Sequence, residues 1–134
     1  MADTRRVGQI RDVVIDCIHP ASLARFWAAA LDGYAVAPYD EAEIERLRSL
    51  GIFDVEDDPT VLVEGPGPRL FLQRVSEPKQ VKNRVHLDLA AADPDSEVRR
   101  LVSLGARIVE TYDSHVWLAD PQGNEFCLTL APST

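Results

Sequence analysis

The sequence runs through one order of elements twice. Strand, helix and three strands are followed by a polar linker over 76–83, and strand, helix and three strands then come again. The spacing predicts one helix over 21–31, with Leu23, Phe26, Trp27, Ala30 and Leu31 on its apolar stripe. A second is predicted over 94–104, with Val98, Leu101, Val102 and Leu104. Pro20 and Pro94 each open the helix of their half, where the missing N–H costs nothing. Counting eight positions back from each proline aligns Asp12 with His86, and the final strands align Leu72-Gln73 with Phe126-Cys127. A βαβββ unit has one helix to cover one face of its sheet, so the other face stays open. Two such units side by side predict an α+β fold: a cupped eight-stranded mixed sheet with helices outside and a polar-lined cavity within.

The modules are expected over 10–75 and 84–131 within one domain of 134 residues. The second opens on Arg84-Val85-His86-Leu87-Asp88-Leu89, read as a strand over 84–89. Its alternation sends Val85, Leu87 and Leu89 to the core and Arg84, His86 and Asp88 to the cavity. The first opens on 12–18, where Val13, Ile15 and Cys17 share one face and Asp12, Val14 and Asp16 the other. Further strands are expected at 60–64, 70–75, 107–111, 115–119 and 125–130. The first module carries an additional helical pattern over 41–50 and an acidic loop over 54–59, expected to be solvated.

A formal net charge of −8 argues against nucleic acid and against anionic membrane surfaces as partners. No apolar run approaches the ~20 residues that span a bilayer. The charged start at 1–6 lacks the apolar core of a signal peptide, and Cys17 and Cys127 read as reduced thiols, so a cytoplasmic protein is expected.

The concave face is where chemistry is expected. His86 is the candidate general base, because imidazole titrates near neutral pH. Its alternative is a hydrogen-bonding role in a ligand pocket, paired with Asp16 or Asp88. Asp12, Asp16 and Asp88 are expected to form a polar network with Arg84 and His86. Trp117 should face the cavity, since Val116 and Leu118 must face the helices; it is a ligand-stacking candidate or an aromatic plug. Cys127 reads as a small buried hydrophobe rather than a nucleophile.

Several stretches together are similar to one family: Phe26-Trp27 with Gly33, His86-Leu87-Asp88-Leu89, Leu104-Gly105-Ala106, and Leu118-Ala119-Asp120-Pro121-Gln122-Gly123-Asn124-Glu125-Phe126. The chain resembles the vicinal oxygen chelate superfamily, the glyoxalase, bleomycin-resistance and dioxygenase group, over roughly residues 10–130. The resemblance implies a divalent metal held by four concave-face positions, usually His or Gln, Glu, His and Glu, or else a metal-free ligand cavity, often in a homodimer. Carried over, those positions are Asp12, Gln73, His86 and Cys127, with Glu125 about 7 Å from Cys127 along the strand. Gln73 is a weak neutral ligand, and Cys127 favours softer metals. The expectation is therefore a protein without a catalytic metal that binds a small molecule through Asp12, Asp16, Gln73, Arg84, Asp88, Trp117, Glu125 and Cys127, with a homodimer as its assembly. The alternative is a lyase, isomerase or dioxygenase acting on a vicinal-oxygen substrate through one divalent metal.

Overall fold

The computed structural model describes residues 4–130. The parts of the expected lead-in at 1–3 and of the second module at 131 lie outside them. The first module comprises β1 (Asp12–Cys17), α1 (Pro20–Ala30), β2 (Ala35–Val36), α2 (Glu41–Ser49), a 3-10 turn (Val55–Asp57), β3 (Thr60–Glu64) and β4 (Arg69–Arg74). The second comprises β5 (Leu87–Leu89), α3 (Pro94–Ser103), β6 (Arg107–Thr111), β7 (His115–Ala119) and β8 (Glu125–Thr129). The eight strands form two four-stranded mixed sheets in the matching orders β1-β4-β3-β2 and β5-β8-β7-β6. In each, the first strand runs parallel to the last and the others pair antiparallel. The fold is α+β, as the repeated order of elements implies.

α1 and α3 each start on their proline. His19 and Asp93 cap them through side chains that accept from the backbone N–H of Ser22 and Ser96. One core serves both modules. Leu23, Phe26 and Trp27 of α1, Val61, Val63, Leu70 and Leu72 of the first sheet, Leu101 of α3, and Val116, Leu118, Phe126 and Leu128 of the second sheet are buried together. Trp27 meets Phe126 edge-on with centroids 5.0 Å apart, so the first helix packs directly on the second module's last strand. Arg100 of α3 donates to the carbonyls of Ala29 and Ala30, which sets α3 beside the C-terminal end of α1. α1 and α3 pack on the core side of the sheets, whereas α2 borders the opposite, open face beside Leu62 and Phe71.

Two expectations need correction. The strand expected over 84–89 begins at Leu87, so Arg84 and His86 precede it and Val85 is 77% exposed instead of facing the core. Alternation alone does not make a strand, because a strand needs a partner. β8 starts at Glu125, and its carboxylate accepts the backbone N–H of Asn83 at 2.6 Å, which holds the chain across β8 just before the ladder begins. The second correction is register. Val13 pairs with Leu70 and Leu87 with Phe126, so Phe71, not Gln73, is the counterpart of Cys127. Gln73 lies two residues further along β4.

The loop over 54–59 is largely exposed, as expected, and is tied down at Glu56 and Asp58. Leu47 of α2 is buried, Arg25 of α1 makes a two-pronged contact with Glu56, and Tyr39 donates to buried Asp58 at 2.8 Å. Asp58 also accepts from the Thr60 N–H, and burial, followed by that carboxylate, pushes the Tyr39 phenol far up.

Candidate functional site

Strand alternation sorts the sheets into a core face and an open face. In the first module the open face carries Asp12, Val14 and Asp16 of β1, Thr60 and Leu62 of β3, and Arg69, Phe71 and Gln73 of β4. The register sets Val14, Phe71 and Leu62 in one row across three strands. In the second module the equivalent row is Asp88, Cys127 and Trp117. One half of the open surface therefore has an apolar floor and the other a polar one.

The polar half carries a cluster of candidate donors. His86 Nε2 lies 3.1 Å from a carboxylate oxygen of Asp88, so the partner of the imidazole is Asp88 and not Asp16. The donor atoms of His86, Asp88 and Cys127 lie within 4.8 Å of one another. Burial, then the Asp88 charge, pushes the Cys127 thiol up, against a pull downward from Lys82. Cys17 is pushed up to about 11, mainly by burial and then by Asp120 and Asp16. Both thiols are buried and free, and both are held protonated at neutral pH. Trp117 is half-buried, with the Lys82 ammonium 4.5 Å from its ring centroid. Its Nε1 is buried and has no hydrogen-bond partner among the described residues.

The remaining expected ligands are committed elsewhere. Asp12 receives a two-pronged contact from Arg69, at 2.7 and 3.3 Å, and that guanidinium also lies over Phe71. Glu125 accepts from Lys79 at 2.8 Å and from the Asn83 N–H, with Lys82 3.5 Å away. Burial raises the Glu125 carboxyl, but these donors together outweigh it and hold the group below its ordinary value. Gln73 is exposed, and Arg84 is exposed beyond the end of β5. Lys79 and Lys82, which sequence reasoning missed, come from the linker. Nothing in their local sequence marks them, because Glu125, the carboxylate they share, is more than 40 residues away.

The Glu125 clasp has a testable pH dependence. A lowered folded value means its contribution is complete above the ordinary glutamate range and is lost as pH falls through the lowered value. Protection of the Asn83 amide, taken relative to its intrinsic exchange rate at each pH, should fall on acidification through that window, and Glu125→Gln should show the low protection at neutral pH. Equal protection in both proteins at every pH would disprove the clasp.

The Asp-Pro-Gln-Gly-Asn turn explains how the halves stay registered. Asp120, 3% exposed, accepts from Trp27 Nε1 at 3.1 Å and from the N–H groups of Gln122 and Asn124. The Gln122 side chain accepts from the Ile18 and His19 N–H groups and donates to the His19 carbonyl. Asn124 donates to the Asp16 carbonyl at 3.3 Å. Gly123 takes φ +90°, a conformation that favours glycine. Three side chains of one turn in the second module therefore grip the strand and helix that open the first.

Paired βαβββ modules with a shared core and an open, mixed polar and apolar face define a class of α+β proteins. Residues 12–129 match the model of the glyoxalase-like domain, and the chain belongs to that family within the glyoxalase, bleomycin-resistance and dioxygenase group. A comparison with curated proteins returned no match. Among solved structures the chain is similar to the fosfomycin resistance protein FosX from Mesorhizobium loti, at 11% identity and TM-score 0.67, over 95% of this chain and 94% of that one. It is also similar to a glyoxalase/bleomycin resistance protein/dioxygenase family enzyme from Burkholderia phytofirmans PsJN, at 12% identity and TM-score 0.63, over 90% and 97%. A glyoxalase/bleomycin resistance protein from Albidiferax ferrireducens T118 matches at 18% identity and TM-score 0.55, over 91% and 98%. At these identities the likeness is one of fold.

The residues do not fit the carboxylate-rich metal centre that the family resemblance implies. Of the four carried-over positions, Asp12 is neutralised by Arg69, Gln73 is displaced in register, and Cys127 replaces a carboxylate. Glu125, the nearest substitute, is held by two lysines and an amide. The donors that do gather, His86, Asp88 and Cys127, are a nitrogen, oxygen and sulfur set from one module, of the kind that suits zinc better than magnesium or manganese.

Proposed function

We propose that this protein binds a small molecule on the open face of its paired sheets and does so without a catalytic metal. The observation that carries this reading is the diversion of Asp12 and Glu125 into internal ion pairs. A carboxylate committed to a guanidinium or to two ammonium groups must give up those partners before it can coordinate a cation. What the open face offers instead is contact surface: Val14, Leu62 and Phe71 on one side, Trp117 on the other, with Asp88 and His86 as polar anchors. That combination suits a ligand with a flat apolar part and one polar end.

Titration with anilinonaphthalene sulfonate, a flat apolar probe carrying one charge, examines the surface. Phe71→Ala and Trp117→Ala should each weaken saturable binding by roughly tenfold. Unchanged affinity in both variants would remove the open face from consideration.

The second reading, a metal-dependent enzyme acting on a vicinal-oxygen substrate, is favoured by one observation, the convergence of His86, Asp88 and Cys127. In it His86, oriented by Asp88, would take up a substrate proton.

A further inference from the structure

The two sheets meet edge to edge without joining. β1 is the terminal strand of one and β5 the terminal strand of the other. A sheet edge presents backbone N–H and C=O groups that call for partners. The Asn124 side chain supplies one, to the Asp16 carbonyl. Between the edges lies a half-enclosed slot of about 170 Å³, walled by Val13, Val14 and Ile15 on one side and by Val85, His86 and Leu87 on the other. Trp27, Asn83, Asp16, Asn124 and Glu125 complete it. Asn83 donates its amide Nδ2 to the Val85 carbonyl at 3.1 Å, which fixes its other end as oxygen. That Oδ1 is buried and has no hydrogen-bond partner among the described residues. A buried acceptor left without a donor is uncommon and asks for an explanation.

We infer that the slot between β1 and β5 is the anchoring subsite for the ligand, and that it takes a compact ring carrying one hydroxyl or N–H donor, which the Asn83 Oδ1 accepts. The inference rests on the ligand-binding reading above and adds to it the place and the chemistry. Size supports it, since an apolar cavity of about 150 Å³ holds a benzene ring. Val13, Val14, Ile15, Val85 and Leu87 give the walls aliphatic surface, so the ring gains by leaving water. Specificity follows from the unmatched acceptor: a ring with a donor satisfies it, and a ring without one leaves it buried and bare. The slot also touches His86, so a ring seated there brings its substituents to the His86–Asp88 pair.

Phenol and toluene are matched probes, equal in shape and different in the donor. Amide chemical shifts of the full chain, followed during titration with each, should move saturably at Val14, Asn83 and His86, with phenol bound roughly tenfold more tightly. Asn83→Ala should erase the difference between the two while leaving toluene binding in place. Val14→Trp should fill the slot and abolish both, in a protein whose remaining spectrum shows that it is folded. Saturable shifts confined to Trp117 and Cys127 would overturn the slot and leave ligand binding on the open face intact. Equal affinity for phenol and toluene, or no saturable shift at all, would also overturn it.

Discussion

Phe126→Ala is expected to cost about 4 kcal/mol of folding stability, within the range for emptying a buried aromatic site. Phe126 is fully buried on β8, 5.0 Å from the Trp27 ring and 6.2 Å from that of Phe26. It belongs to the second module and its neighbours to the first, so the cavity opens where the halves are joined. Phe71→Ala removes the same atoms from a half-exposed position on the open face and should cost only about 1 kcal/mol. Denaturant unfolding of the two variants measures the contrast. Equal losses would mean that the assignment of core and open faces is wrong.

Asp120→Ala should be nearly as damaging, at about 3 kcal/mol, because it strands the Trp27 indole N–H and two backbone N–H groups in a buried turn. Asp120→Asn keeps an acceptor and should retain much of the stability. The acid also leaves a pH signature. Burial raises the Asp120 carboxyl above its ordinary value, against the hydrogen bonds from Gln122, Asn124 and Trp27. A raised folded value contributes stability that is complete below the ordinary aspartate value of about 3.9 and is lost as pH rises through the raised one. Wild type should therefore lose stability relative to Asp120→Asn as pH climbs through that window. A stability difference between the two that is independent of pH would show that Asp120 does not titrate there.

The helices and their order were legible because their signals are local. Pro20 and Pro94 mark helix starts by geometry, and Leu23, Phe26 and Trp27 recur at the period of a helix. What failed was information carried by a distant partner. Residues 84–89 alternate faultlessly, yet the ladder begins at Leu87, because Glu125 engages Asn83. The loop at 54–59 is largely solvated as its composition implies, but nothing in it reports that Arg25 and Tyr39 bind Glu56 and Asp58. The turn at 120–124 was visible as a family marker, but its purpose was not. Gln122 reaches partners at residues 18 and 19, and no pattern in a linear sequence reports a contact across that distance. Of the candidate residues, Asp88, Cys127 and Trp117 share a row as their alternation implies and His86 lies beside Asp88 although it precedes the strand, whereas Asp12 and Glu125 turn to Arg69 and Lys79.

The central claim is that the open face holds a ligand with no catalytic metal, and metal content measured beside ligand binding in wild type and His86→Ala tests it most directly. Coordination needs several deprotonated donors free of other partners, and here the carboxylates at the family positions are already paired. The account predicts far less than one equivalent of metal per chain in both proteins, with a ligand affinity that changes when His86 is removed. About one equivalent in wild type, lost together with activity in His86→Ala, would contradict it and establish the metal-dependent enzyme.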